Sequence, residues 1–231
     1  RSRSVREAGI ALIFGSALLA FFLYVPLTQE PTITEPSITV ATSTTPDAFA
    51  NVSIRANAAV VYDLVTKKTL YEKNADAQLP LASLTKLLTV YAALTELAPN
   101  TPITIPADVT QLTPPRTFSV GQVFSLSDLA RLTLTASLND GAAAIAAATA
   151  AQQNGTQNAA LAGAAAALGL SQTFAVNGSG LDESSVISGG YGSARDLARL
   201  AGALILINPS IAEATTVSSA QATSLGGTSF T

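Results

Sequence analysis

The chain has 231 residues, with 12 Lys or Arg against 15 Asp or Glu, a net charge of −3, and 48% hydrophobic residues. So much apolar material excludes disorder over most of the length, and the mildly acidic balance gives no footprint for nucleic acid. There is no Cys and no His, which removes disulfides, thiolate nucleophiles, Cys-type zinc sites and every His-dependent catalytic arrangement.

Arg1, Arg3 and Arg6 precede an uncharged apolar run over residues 9–27. Nineteen residues span about 28 Å as a helix, close to the thickness of the bilayer core. The arginines before the run and Glu30 and Glu35 after it put residues 1–8 on the cytoplasmic side and the rest outside. The expectation is an uncleaved single-pass membrane anchor, with the remaining chain extracytoplasmic; a cleaved signal peptide is the rival. Residues 28–54 are rich in Pro, Thr and Ser and read as an extended spacer.

A globular domain is expected over 55–231. Residues 58–64 form a β-favouring apolar run, 66–68 break it, and 69–73 alternate, which predicts a hairpin. Residues 74–80 read as a loop. Ser83–Leu97 reads as a helix, with Leu84, Leu87, Leu88, Tyr91 and Leu94 at helical spacing. Residues 102–124 read as a loop with minor strands. Ser127-Asp128 is expected to begin a second helix, and an alanine-rich helical stretch follows over 142–151. Another helix covers 157–168, and residues 173–182 are irregular. Ser193 is expected to cap a final helix over 194–207, stopped by Asn208-Pro209.

Four lysines exist, and three (Lys67, Lys68 and Lys73) sit in or beside the hairpin, where solvation is expected. Lys86 stands between Leu84 and Leu87 on an apolar helix. Burial disfavours an ammonium, lowers its pKa and makes a base near neutral pH. Ser83 lies three residues earlier, one turn away on the same face. A base beside a hydroxyl is the minimum for an activated serine nucleophile. The plain alternative is a capping Ser followed by a Lys whose stem packs while its head reaches water. Ser137-Leu138-Asn139 sits between two apolar helices; its hydroxyl and amide can enter a shared cleft, or simply cap a turn. The glycines of residues 174–199 lack the order of a phosphate-binding loop.

Taken together, Ser83-Leu-Thr-Lys86, Ser137-Leu-Asn139 and the segments NGSGLDE (177–183) and GYGSARDLARL (190–200) resemble the motif set of penicillin-recognising serine enzymes. Within that superfamily they resemble the D-alanyl-D-alanine carboxypeptidases, the low-molecular-mass penicillin-binding proteins, over about residues 55–215. The resemblance implies an α/β, β-lactamase/transpeptidase-like fold with an antiparallel sheet and a helical subdomain. It implies Ser83 as nucleophile, Lys86 as its base, Ser137 as proton relay and Asn139 as a substrate-binding residue. The implied partners are peptidoglycan stem peptides and β-lactam antibiotics, with no cofactor and no metal. The family's third motif, Lys-Thr-Gly or Lys-Ser-Gly on a cleft strand, is absent, and Gly226-Gly227-Thr228 is not preceded by Lys. The chain is therefore expected to be cut before the later sheet strands and to be a poor enzyme by itself. Leu138, where the family often has Gly or Ala, is expected to narrow the cleft. The rivals are a β-lactamase, a D,D-endopeptidase of the same fold, and a catalytically silent wall-binding protein.

Overall fold

The computed structural model describes residues 48–230. The expected anchor over residues 9–27, and the spacer up to residue 47, lie outside the described residues. Among the described residues, no helix is long and apolar enough to cross a membrane. Residues 48–54, read as the end of the spacer, touch the hairpin. The Phe49 ring lies 5.8 Å from that of Tyr71, and the Ile54 carbonyl accepts a 2.9 Å hydrogen bond from Lys73 Nζ.

The hairpin forms as its pattern requires. Strand β1 (Ala59–Tyr62) pairs antiparallel with β2 (Thr69–Lys73), Val60 opposite Glu72. The polar break is built on Asp63, whose carboxylate accepts from the N–H groups of Val65 and Thr66. Lys67, with φ +59°, completes the reversal.

Helix α1 (Thr85–Glu96) is the centre of the helical body. It is apolar on two sides. Leu88 and Ala92 join Leu161, Leu170 and Leu200 in one cluster, while Val90 and Ala93 join Phe124, Leu129, Ile145 and Leu204 in the other. A helix buried on both flanks has no polar face on which to lodge a charge, and Lys86 is on it.

Around α1 pack α3 (Asn139–Gln152), α4 (Gln157–Ala167) and α5 (Ala194–Ile207). Helix α2 (Leu126–Ala136) begins one residue before the expected Ser127. Ser125 Oγ is its cap, accepting from the Asp128 N–H at 3.1 Å. Ser193 caps α5 as expected, accepting from the Asp196 N–H at 3.2 Å. Asn208 ends α5 and also caps a further short helix, α6 (Pro209–Glu213), which the proline-stop reading did not foresee.

The remaining strands are short, and all pairings are antiparallel. Strand β4 (Pro102–Thr104) pairs with β5 (Val123–Ser125), the minor strands expected in that stretch. Strands β3 (Leu79–Pro80), β6 (Phe174–Ala175) and β7 (Gly190–Gly192) form a sheet of order β3-β7-β6. The residues read as a loop and as irregular chain thus hold β3 and β6. Two residues are too few to show a period of two. A last hairpin joins β8 (Ala222–Thr223) to β9 (Ser229–Phe230), with Gly226-Gly227-Thr228 in its turn. The fold class is the expected mixed α/β with antiparallel sheets and a helical body.

The β1–β2 hairpin is latched to α5 by Arg195. Its guanidinium donates to Asp76 at 2.7 Å, Glu72 at 2.6 Å and Thr69 Oγ1 at 2.9 Å. The two carboxylates hold the guanidinium above its ordinary pKa. In the larger core cluster, the Phe124 ring stands 4.8 Å from Phe118 and 5.2 Å from Phe230, and Phe124 is fully buried. Phe124→Ala is therefore expected to cost about 3–5 kcal/mol, measured by urea unfolding.

Candidate active site

Ser83 and Lys86 come together. Lys86 Nζ donates to Ser83 Oγ at 2.8 Å. The i, i+3 spacing accomplishes this in an unexpected way. Ser83 is not in the first turn of the α-helix but on a single 3₁₀ turn, Ala82–Leu84, that leads into α1. Ala82 enters that turn with φ +46°, a left-handed conformation that costs an L-residue roughly 1–2 kcal/mol.

The two partners differ in exposure. Ser83 is exposed, whereas Lys86 is 1% exposed. The hydroxyl can be reached from solvent and the amine behind it cannot. Burial lowers the Lys86 amine from its ordinary 10.5 to about 8. A substantial fraction is then neutral at mildly alkaline pH. Neutral, the same nitrogen accepts a proton from the hydroxyl it now donates to.

Ser83 and Lys86 open onto a cavity of about 850 Å³. Ser137 lines it too, together with Thr133 and Leu134 from α2. Ser137 is the residue that ends α2, with φ +54°. This left-handed residue turns the chain sharply into α3 and leaves the hydroxyl half-buried on the cavity wall. Much of the remaining wall is apolar, from Leu84, Leu87, Leu204 and Ile205. Lys86 and Glu213 are its ionisable side chains.

Asn139 is 2% exposed and does not line this cavity. Its Nδ2 donates to the Thr113 carbonyl at 2.7 Å, and its backbone N–H donates to the Pro115 carbonyl at 2.8 Å. The next residue, Asp140, is also buried and accepts from the N–H groups of Thr117 and Phe118 at 2.6 and 2.7 Å. Together they tie the 113–118 loop to the start of α3. Leu138 departs from expectation. It is 5% exposed, belongs to the larger core cluster and is absent from the cavity wall. Its bulk fills the core instead of narrowing the cleft. Gly226-Gly227-Thr228 does not reach the cavity either.

The support behind Ser83 was not apparent from the sequence. Leu81 N–H donates to the Gly190 carbonyl at 2.9 Å. A Cβ on Gly180 would stand 1.9 Å from the Ala82 oxygen, and one on Gly190 would stand 2.2 Å from Thr85 Oγ1. Gly180 and Gly190 are therefore glycine because the chain passes so close to the serine turn and the start of α1. Their clustering was visible; what they approach was not.

These features agree with what the chain is similar to. The family model described as D-alanyl-D-alanine carboxypeptidase matches residues 41–228. The chain belongs to that family. A D-alanyl-D-alanine endopeptidase of Pseudomonas aeruginosa is 33% identical over 177 residues, covering 71% of this chain and 53% of the relative. The chain thus spans about half the length of that curated relative. The crystal structure of a D-alanyl-D-alanine carboxypeptidase from Mycobacterium tuberculosis superposes with a TM-score of 0.63 at 28% identity, covering 78% of this chain and 69% of that one. Penicillin-binding protein D2 of Listeria monocytogenes, in its cefotaxime-bound form, superposes with a TM-score of 0.59 at 29% identity, over 78% of this chain and 72% of that one.

Burial of Lys86 has a consequence for stability. In the unfolded chain the amine stays protonated up to about pH 10.4, in the folded one only to about 8. Between those values the unfolded chain binds more protons, so stability rises with pH. Lys86→Met is expected to unfold at higher urea than the native chain below pH 8 and to lack that rise. Urea titrations from about pH 7 to about pH 10.5 measure both.

Proposed function

We propose that this chain carries the acylation centre of a serine D,D-carboxypeptidase that removes the terminal D-alanine from peptidoglycan stem peptides. The observation that carries the reading is the 2.8 Å contact between an exposed serine hydroxyl and a buried lysine amine. In this mechanism neutral Lys86 takes the proton of Ser83 as Oγ bonds to the carbonyl carbon between the two D-alanines. The tetrahedral oxyanion is met by the backbone N–H of Ser83. Ser137, on the same cavity wall, passes a proton to the leaving amine as the C–N bond breaks and D-alanine departs. Water then attacks the Ser83 ester by the reverse path, releasing the shortened peptide and the serine. The family resemblance assigns the substrate backbone to Asn139, whose amide is here held on the Thr113 carbonyl. A β-lactam acylates the same oxygen, its ring amide taking the place of the peptide bond. Support for β-lactam recognition comes from the Listeria protein, described in its cefotaxime-bound form.

A second reading is favoured by the Pseudomonas relative, which is named an endopeptidase. Chemistry up to the acyl-enzyme is then the same. Only the leaving amine differs, belonging to a neighbouring cross-linked stem instead of free D-alanine. In either reading residues 9–27 anchor the protein in the cell membrane, with the catalytic domain on the wall side.

The test is intact mass of the full gene product after incubation with a penicillin, beside Ser83→Ala. The expected result is one covalent adduct of one drug mass, absent from the variant. An adduct that persists in Ser83→Ala contradicts the assignment. Release of D-alanine from a pentapeptide, against cleavage of cross-linked dimers, separates the two readings.

A further inference from the structure

Asn177 touches neither the cavity nor the reacting pair, yet it is the most fully engaged polar side chain behind the serine turn. Its Oδ1 accepts from the Ser179 N–H at 3.1 Å, the Ser179 hydroxyl at 3.0 Å and the Gly180 N–H at 2.8 Å. Its Nδ2 donates to the Leu181 carbonyl at 2.9 Å and to Glu183 at 2.6 Å. One amide therefore closes the 177–183 loop upon itself. It also fixes Gly180 at φ +78°.

Gly180 in turn lies directly on the peptide that joins Ala82 to Ser83. Its missing Cβ would sit 1.9 Å from the Ala82 oxygen and 2.7 Å from the Ala82 carbonyl carbon. Strand β7, further along the chain, holds the other side of the turn through the Gly190 carbonyl on Leu81 N–H. The loop and strand β7 therefore enclose the strained Ala82 from two directions. A left-handed alanine persists only when its surroundings over-determine it. The Ala82–Ser83 peptide plane sets where Ser83 points its N–H and its Cβ. Lys86 needs no such brace, since α1 is fixed by its two apolar clusters.

We propose that Asn177 is a positioning residue for Ser83, acting through Gly180 and the Ala82 carbonyl. This rests on the reading of Ser83 as the nucleophile. Loss of the Asn177 amide lets the 177–183 loop relax and Ala82 leave its left-handed conformation. Ser83 Oγ then drifts from an amine that stays in place. A misplacement near 1 Å of a reacting group costs on the order of 100-fold in rate.

The experiment is pre-steady-state acylation of the full gene product by a penicillin, for the native protein, Asn177→Ala and Asn177→Ser. The serine keeps a hydroxyl able to accept from the Gly180 N–H, and it covers the case in which the alanine variant does not fold. Expected is a graded fall in the acylation rate constant, about 10- to 100-fold for alanine and less for serine. The burst amplitude per folded molecule and the dissociation constant of the pre-covalent complex stay unchanged. A purely structural role would lower the folded fraction, and with it the total amplitude, and leave the rate constant alone, and that result overturns the proposal. So does a rise in the dissociation constant at constant rate, which would make Asn177 a ligand contact. Absence of a penicillin adduct in the native protein overturns the peptidase reading instead. Ser83 labelling by a fluorophosphonate then decides the positioning claim in the same variants: a slower rate in Asn177→Ala supports it, and equal rates, or no labelling of the native protein, overturn it.

Discussion

The site depends on one costly placement, a lysine amine 1% exposed on a helix with apolar clusters along both flanks. An ammonium buried there has no carboxylate within ion-pair distance among the described residues. The protein meets the cost by lowering the proton affinity of the amine, and a lysine so lowered is a base. The hydroxyl of Ser83 is the hydrogen-bond partner that keeps the amine from being orphaned. Stability and chemistry therefore make opposite demands on Lys86. Methionine would suit the core better and could not take a proton.

Other parts of the fold serve that placement. Helix α3 is rich in alanine where it faces its neighbours, and a Cβ on Gly178 would come within 2.4 Å of the Ala146 methyl. Small side chains on both sides let the 177–180 loop come down onto the helical body, so that Thr89 Oγ1 on α1 reaches the Gly178 carbonyl at 2.7 Å. From there the loop reaches the serine turn. Ser137 arrives by another left-handed residue, at the junction of α2 and α3. Two sharp turns, at Ala82 and Ser137, bring to one cavity hydroxyls that lie 54 residues apart in sequence.

Much of this was legible. Period 3.6 marked α1, alternation marked the first hairpin, and Ser193 announced its own cap. The Ser83–Lys86 contact followed from spacing alone, because i and i+3 neighbours meet on a 3₁₀ turn as well as on an α-helix. What escaped had no local signal. Strands of two residues carry no period, so β3 and β6 read as loop. Leu138 looked like a cleft residue because its neighbours Ser137 and Asn139 belong to the motif. A tight turn, however, sends adjacent side chains in different directions, and Leu138 went to the core. The expected solvation of Lys73 also failed, since its amine reaches the carbonyl of Ile54, 19 residues earlier. The glycine cluster was visible but what it approaches was not, for the partner Ala82 lies far upstream in the sequence.

The central claim is that burial makes Lys86 the base for Ser83, and the pH dependence of Ser83 acylation tests it most directly. The account predicts a rate constant that climbs with pH and levels off with a midpoint of about 8, a limb that disappears when Lys86 is replaced by methionine. A rate that is flat through that range, or that climbs only near the 10.5 of an ordinary lysine, would contradict it.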